Sequence, residues 1–225
     1  MLRVFIGVVA YVTFFAILLF VPAGTLAWGR AWVLLAVLLV VRTAGALAVF
    51  RVNPALLRER AKLPVQRDQP WTDKLLLPAC MAAFAGLPVA AGLDVFRWQV
   101  LPKPAPTVAA IGLVVFAVGW GVTALALRAN AFAVTVVRFQ GERKHTVVDT
   151  GVYGVVRHPM YAGLLLVLVG LGLWLESYAA ALLAVVPIGL LVVRIGLEER
   201  FLRRELPGYR EYEARVPHRL LPGIW

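Results

Sequence analysis

Six apolar runs, each close to the length needed to cross a lipid bilayer, dominate this sequence. They cover residues 4–29, 31–50, 75–93, 104–127, 158–175 and 177–193. A membrane-spanning helix takes about 20 consecutive apolar residues. With 61% hydrophobic and only 16% charged residues, the chain also has too few polar residues to coat a soluble domain of this size. We therefore expect an all-α integral membrane protein with about six transmembrane helices.

The last two runs are expected to form a short helical hairpin. Only residues 161–175 of the fifth run have a helical character, and at 1.5 Å per residue they reach roughly 22 Å, less than the hydrocarbon core of a bilayer. The sequence "WLESYA" (174–179) joins this run to the sixth. The first run is too long for a signal peptide and lacks a small-x-small cleavage site, so we expect it to be retained.

The basic residues are concentrated in three segments. The formal net charge is +11, and 18 of the 23 lysines and arginines lie in residues 51–74, in residues 128–157, or in the tail from Arg194. Such an asymmetry predicts that these segments, and both termini, face the cytoplasm. Anionic lipid headgroups are the natural counter-charge, so membrane lipids are expected as partners and nucleic acid is not.

The polar segments divide the chain into two regions. Residues 1–128 form a predicted scaffold of four transmembrane helices, whose loop 51–74 contains a short helix near 54–62. Residues 129–225 begin with valine-rich extended pieces punctuated by Gly141 and Gly151, and their tail starts as a continuation of the sixth helix. Most residues with recognisable chemistry lie in this second region, which is expected to hold the active site.

The segment "GVYGVVRHPMYAG" (151–163) is the first candidate site. Proline disfavours helical geometry in the preceding residue and is favoured at the first helical position, so His158 is expected to cap a helix that begins at Pro159. The free N–H groups of such a helix start favour an anion, and the fork of Arg157 suits a carboxylate. An interfacial belt, with Arg157 on lipid phosphates and Tyr153 and Tyr161 at headgroup level, is the alternative.

A second polar group lies where the sixth run ends. Arg194 and Glu198 are four residues apart and are expected to share a helix face, whereas Glu199 is expected to form a surface salt bridge with Arg203. Arg194 lies in the last turns of an apolar helix, where a charge is costly without a role or a partner.

Arg42 raises the same question within the second run. Either it extends toward the nearby cytoplasmic face or it has a function.

Several familiar chemistries are missing from the sequence. His145, His158 and His218 lack metal-ligand spacing, so no metal is expected. Cys80 lies within an apolar run and is expected to be a packing residue. A serine-hydrolase elbow and nucleotide-binding glycine loops are also absent.

The run "HTVVDTGVYGVVRHPMYAG", together with "EERFLRRELPGYREYEARVPHRLLP", resembles the isoprenylcysteine carboxyl methyltransferase family and the related phospholipid methyltransferases. The resemblance covers residues 145–225, and "NPALLRERA" with "PWTDKLLLP" is similar to bacterial members. It implies an integral membrane enzyme that uses S-adenosylmethionine, yields S-adenosylhomocysteine, and lies in a bacterial inner membrane.

The resemblance also implies roles for individual residues. Arg194 would face the substrate carboxylate, and Arg194, Glu198 and Arg157 would form the catalytic group. An implied cofactor contact falls at Arg138 or at nearby Gln140, and the register near Leu206 and Pro207 is open by one residue. The implied cofactor-binding residues are Gln140, His145, Thr146, Val147, Val148, Tyr153, His158, Pro159, Met160, Tyr161 and Glu198.

The acceptor implied by the resemblance is lipophilic or prenylated and enters from the bilayer. A carboxylate of the isoprenylcysteine type is the favoured acceptor, because a carboxylate is already ionised at pH 7 and needs no general base. Phosphatidylethanolamine N-methylation is the alternative within the same class. A non-catalytic membrane protein that retains the fold is the alternative from another class.

Overall fold

The computed structural model describes residues 2–66 and 68–225, and it confirms the all-α integral membrane fold. Among these residues there are nine α-helices and no strand. Arg67, one of the basic residues of the 51–74 loop, lies outside the described residues. The helices are α1 (Leu2–Ala23), α2 (Gly29–Val52), α3 (Pro54–Arg60), α4 (Trp71–Leu93), α5 (Pro106–Ala129), α6 (Pro159–Trp174), α7 (Tyr178–Leu183), α8 (Val185–Glu205) and α9 (Tyr209–Arg215).

Five helical stretches in the described residues are long and apolar enough to cross a membrane: those of α1, α2, α4 and α5, and residues 178–205, which combine α7 and α8. Helix α6 has only 16 residues and would extend about 24 Å. The predicted hairpin is therefore present, and its first arm is short as expected. The short helix predicted near 54–62 is α3.

Helix α6 packs against α5 at unusually close range because both helices carry glycines at the contact. A Cβ atom built on Gly119 would lie 2.6 Å from the carbonyl oxygen of Gly163, and one built on Gly163 would lie 2.6 Å from the carbonyl oxygen of Gly119. Small residues let helix backbones approach closely in membrane proteins. This contact fixes the position of α6, and with it the Arg-His-Pro segment at its start.

Gly119→Ala is expected to destabilise the protein by about 1–3 kcal/mol, because the added methyl group meets backbone atoms that cannot move independently. Gly121→Ala is the matched control on the same helix, since a Cβ atom there has no neighbour within 4 Å. Thermal unfolding in detergent would compare the two variants. Equal melting temperatures would show that α5 and α6 can separate without cost.

The C-terminal tail returns to the start of α6. The backbone N–H groups of Arg157 and His158 donate to the carbonyl oxygens of His218 and Arg219, both at 2.9 Å. Helix α8 continues to Glu205, as predicted, and α9 follows after a left-handed residue at Gly208 (φ 82°). Residues 130–157 contain no α-helix, only two short 3₁₀ turns. The tail, the 130–157 segment and the ends of α6 and α8 therefore meet at one end of the bundle.

Candidate functional site

A cavity lies where these four parts of the chain meet. Its volume is about 100 Å³, below the roughly 300–1,000 Å³ of most small-molecule sites, so side chains or the 130–148 segment must move for a ligand of that size to enter. The cavity is lined by Asn130, Phe132, Ala133, Val134, Val136, Val137, Arg138, His145, Thr146, Val147, Val148, Tyr153, Arg157, His158, Met160, Tyr161, Arg194, Glu198, Leu202, Leu206, Tyr209 and Tyr212.

The Arg-His-Pro segment begins α6 as predicted, but Arg157 does not present a free fork. His158 is the N-cap residue and Pro159 the first residue of the helix. The Nη1 atom of Arg157 donates to the carbonyl oxygens of Val216 (2.7 Å) and Pro217 (2.8 Å). Its Nε atom donates to Glu199 at 2.8 Å. Arg157 therefore touches the cavity while its hydrogen bonds hold the C-terminal tail in place.

Glu199 is the centre of a buried ion cluster, and the expectation of a surface salt bridge was wrong. Its side chain is only 1% exposed. Besides Arg157 and Arg203, its carboxylate bonds to His158 (3.2 Å) and Arg219 (3.0 Å). The reason is tertiary: the tail covers this face of α8. Local spacing showed only the neighbour four residues away, Arg203.

Tyr161 links the second pair of predicted site residues. Its hydroxyl donates to Glu198 at 2.7 Å and accepts from the Nη1 atom of Arg194 at 2.9 Å. Arg194 and Glu198 thus share a helix face as predicted, with a tyrosine from α6 between them. The ring of Tyr161 also stacks on the imidazole of His158 at 5.5 Å between ring centres. The structure therefore brings the two candidate groups of the sequence together.

Arg194 is bonded to protein at each of its three guanidinium nitrogens. Nε donates to Asp73 at 2.8 Å, and Nη2 donates to the carbonyl oxygen of Thr135 at 2.8 Å, in addition to the bond to Tyr161. Asp73 is buried and also accepts from the backbone N–H of Val137. Arg194 is therefore a junction that joins α4, α6, α8 and the 130–148 segment.

The implied cofactor residues of the 138–148 segment divide between the cavity and the protein interior. His145, Thr146, Val147 and Val148 line the cavity. Gln140 is 1% exposed, is not part of the lining, and donates to the carbonyl oxygen of Phe132. Arg138 is the member of this pair that reaches the cavity.

Among the α6 residues, Met160 and Tyr161 line the cavity and Pro159 does not.

Three residues of the lining carry buried polar atoms that lack a hydrogen-bond partner. These atoms are Nε of Arg138, Nδ1 of His145 and the hydroxyl of Tyr209. Unpaired buried polar atoms are rare in proteins and mark places where a ligand or water completes the bonding. Burial, with the charges of Arg143 and Arg138, lowers the pKa of His145 to about 4. The imidazole of His145 is therefore neutral at pH 7, so one ring nitrogen can accept a hydrogen bond.

The donor set of the cavity fits S-adenosylmethionine. That molecule carries a carboxylate, an amine, ribose hydroxyls, an adenine ring and a sulfonium. Glu198 suits the amine or the ribose, and the unpaired groups of Arg138, His145 and Tyr209 supply further polar contacts. The ring of Phe132, 4.5 Å from the ring of His145, provides a flat apolar surface.

Sequence reasoning missed much of the lining. Tyr209 and Tyr212 lie three residues apart on one face of α9, a spacing that offered a signal. The other missed residues are mostly apolar, and no pattern in the sequence marks them as part of a site. The missed lining residues are Asn130, Phe132, Ala133, Val134, Val136, Val137, Leu202, Leu206, Tyr209 and Tyr212.

Comparison with known proteins points to the same part of the chain. Residues 107–207, a little under half of the sequence, match the sequence profile of the phospholipid methyltransferase family. This stretch runs from α5 to just beyond α8 and contains both the Arg-His-Pro segment and the Arg194–Glu199 group. The match supports a membrane methyltransferase, a class whose chemistry in general depends on S-adenosylmethionine.

A named relative shares a shorter stretch. Over 78 residues the chain is 36% identical to the cobalt-zinc-cadmium resistance protein CzcN of Cupriavidus metallidurans. The aligned part is 34% of this chain and 36% of that protein. The chain therefore matches about a third of this relative's length.

Proposed function

We propose that this protein is an integral membrane methyltransferase that transfers the methyl group of S-adenosylmethionine to a lipophilic acceptor. The leading acceptor is a carboxylate of the isoprenylcysteine type. The observation that carries this proposal is the cavity itself, which combines the Glu198–Tyr161–Arg194 chain with three unpaired polar atoms. Most of that lining lies within the stretch that matches the methyltransferase family. The proposed active site faces the cytoplasm of a bacterial inner membrane, in accord with the distribution of basic residues.

The residues of the cavity would act on the cofactor mainly by binding and orientation. When bound, S-adenosylmethionine supplies an electrophilic methyl group on a cationic sulfur. Glu198 would hold the amine or the ribose, and Tyr161 would fix the orientation of that carboxylate through their 2.7 Å hydrogen bond. Orienting two reactants can lower a barrier by on the order of 7–11 kcal/mol. Positioning alone can thus supply much of the catalysis.

The chemistry of the cavity favours an acceptor that needs no general base. An ionised carboxylate would accept the methyl group that the bound cofactor supplies without first losing a proton. A protonated amine would first have to lose a proton. His145, with a pKa of about 4, is a weak base for that task, and His158 is bonded to Glu199. These features support a carboxylate acceptor.

Phosphatidylethanolamine remains the second candidate acceptor because the matching family is that of phospholipid methyltransferases. Radiolabelled S-adenosylmethionine would test both acceptors with the detergent-purified protein. A labelled ester of farnesylcysteine would support the leading proposal. Labelled N-methylated lipid without labelled ester would replace it by the second candidate.

Calorimetric titration of S-adenosylhomocysteine into the purified protein tests the cofactor site directly. Glu198→Gln is expected to weaken binding by about tenfold or more, because a hydrogen bond to a charged group contributes about 1.5–3 kcal/mol. Glu205→Gln, an exposed position on the same helix, is the control and should bind as the wild type does. Equal affinity in Glu198→Gln would remove Glu198 from the cofactor site, and a folded wild type that binds nothing would overturn the proposed function.

A further inference from the structure

A second and larger space lies between α1, α2, α3 and α5, and we refer to it as the lateral groove. Its volume is about 1,040 Å³. Much of its wall consists of small or aliphatic residues such as Gly7, Gly45 and Ala124. Most of its wall belongs to α1, α2 and α5, which are long and apolar enough to cross a membrane. The groove therefore has the size and surface suited to a hydrocarbon chain.

The lateral groove also contains an arginine from the middle of α2. The guanidinium of Arg42 lies over two aromatic rings that are nearly perpendicular to each other, 4.6 Å from the ring centre of Tyr11 and 4.7 Å from that of Trp120. Its Nε atom is buried and has no hydrogen-bond partner, and neither has the indole Nε1 of Trp120, a residue only 8% exposed. A charged group in the apolar part of a membrane protein is costly and marks functional sites.

The buried side-chain atoms that lack a hydrogen-bond partner lie in two places, the proposed cofactor cavity and the lateral groove. Across the part of the chain that the structure describes, five buried side-chain nitrogen or oxygen atoms lack a partner. Three belong to residues that line the proposed cofactor cavity, and the other two belong to Arg42 and Trp120 in the lateral groove. By the argument used for the cavity, the groove is the second place where a polar ligand would complete the bonding.

Positive charge in the lateral groove is not balanced by the protein. Arg58 and Arg60 also line it, its lining contains no acidic residue, and no ion pair of Arg42, Arg58 or Arg60 is found among residues 2–66 and 68–225. Burial first, and then the charge of Arg42, lower the pKa of Arg60 to about 10. Arg42 and Arg60 thus repel each other, and an anion between them would relieve this repulsion.

Only a thin wall separates the lateral groove from the proposed cofactor cavity. Thr135 lines the groove, whereas its neighbours Val134 and Val136 line the cavity. Arg60 donates to the carbonyl oxygen of Ala133 at 2.7 Å and lies 3.7 Å from the sulfur of Met160, a cavity residue. At this point only the backbone around Thr135 therefore separates a molecule bound in the groove from the proposed cofactor cavity.

We propose that the lateral groove binds a membrane amphiphile with an anionic head group, a carboxylate or a phosphate, between Arg42 and Arg60, with its hydrocarbon chain along α1 and α2. This assigns the head-group contact to Arg42, whose Nε atom lacks a partner, and to Arg60, rather than to Arg194, whose three guanidinium nitrogens all bond to protein. The identification of this amphiphile with the methyl acceptor rests on the proposed function.

Fluorescence quenching by chain-brominated lipids in detergent micelles tests the groove, with Trp120 as the reporter. The Trp120 signal is obtained by subtracting the emission of Trp120→Phe from that of the wild type. Brominated phosphatidylglycerol is expected to quench it at about 30-fold lower concentration than brominated phosphatidylcholine, the preference expected for two basic residues near an anionic head group. Equal quenching by the two lipids would overturn the proposal.

Variants assign the preference to the groove. Arg42→Gln should reduce the preference for phosphatidylglycerol about fivefold, and Arg42→Lys should keep it because the charge is retained. Arg51→Gln, an exposed arginine near the end of the same helix, is the matched control and should behave as the wild type does. A preference in Arg42→Gln equal to that of the wild type would overturn the proposal. If that variant does not fold, Arg60→Gln makes the same test.

Two further arms separate the possible outcomes. Millimolar inorganic phosphate is expected not to reverse the quenching, and reversal would assign the site to free anions and overturn the proposal of a lipid. S-adenosylhomocysteine titration of Arg42→Gln should give the affinity of the wild type, which shows that the variant is folded. If the wild type prefers phosphatidylglycerol but binds no S-adenosylhomocysteine, the proposed lipid site stands and the proposed function is overturned.

Discussion

Replacing Glu199 with alanine is expected to destabilise the protein by about 3–5 kcal/mol, because removing one partner of a buried ion pair leaves the other charge uncompensated. The loss is large here since Arg157 is almost fully buried and both it and Arg219 donate to this carboxylate, at 2.8 Å and 3.0 Å. For a chain of this length the melting temperature should fall by about 6–20 °C. Glu199→Gln, which retains an acceptor, should cost less.

The control for this prediction is Glu205→Ala, which removes an exposed carboxylate from the last turn of the same helix. Thermal unfolding in detergent would compare the variants, and limited proteolysis would report on the tail. We expect the tail beyond α9 to be cut faster in Glu199→Ala. Glu199 holds Arg157, and Arg157 donates hydrogen bonds to the carbonyl oxygens of Val216 and Pro217 in that tail. Equal stability of Glu199→Ala and Glu205→Ala would contradict the view that this cluster anchors the tail.

Replacing Arg194 with methionine is the second prediction with a large effect. The substitution leaves the buried carboxylate of Asp73 without its cation and is expected to cost about 3–5 kcal/mol. Adding Asp73→Asn should recover part of this loss, since the double variant no longer buries an unpaired charge. A double-mutant cycle of thermal stabilities measures the coupling. Arg200→Met, an exposed arginine on the same helix, is the control, and purely additive losses would contradict a direct pair.

The Arg194 variant also separates two roles for this residue. The contacts to Tyr161 and to the carbonyl oxygen of Thr135 predict that Arg194→Met weakens S-adenosylhomocysteine binding, because both partners belong to the cavity or its wall. The role implied by family resemblance, a contact to the acceptor's carboxylate, predicts normal cofactor affinity with impaired use of the acceptor. Titration of S-adenosylhomocysteine distinguishes the two, provided that the variant is folded.

The arrangement also links stability to cofactor binding. Tyr209 and Tyr212 of α9 line the cavity, and the Glu199 cluster holds the tail that follows them. A ligand that binds only the folded state raises the stability of that state according to its concentration and affinity. S-adenosylhomocysteine is therefore expected to slow proteolysis of the tail in the wild type.

Local rules of the sequence were sufficient for the positions of the long helices and for the start of α6, but not for the end of α1 at Ala23 or for the break between α7 and α8. Hydropathy over windows of about 20 residues located the transmembrane helices. The steric effect of Pro159 located the start of α6, and the valine-rich composition of residues 130–157 indicated a segment without α-helix. These features depend on neighbouring residues along the chain, so they could be predicted without knowledge of the packing.

The bonding of the charged residues depended on segments that are distant in sequence. Arg194 pairs with Asp73, 121 positions away, and Arg157 turns to the tail rather than to an open site. Glu199 is buried because the tail covers its helix face, and Arg42 lies over rings from α1 and α5. The sequence alone therefore established the fold class and predicted the region of the proposed site. The partners of each charge followed from tertiary packing, because burial and pairing depend on which remote surface covers a side chain.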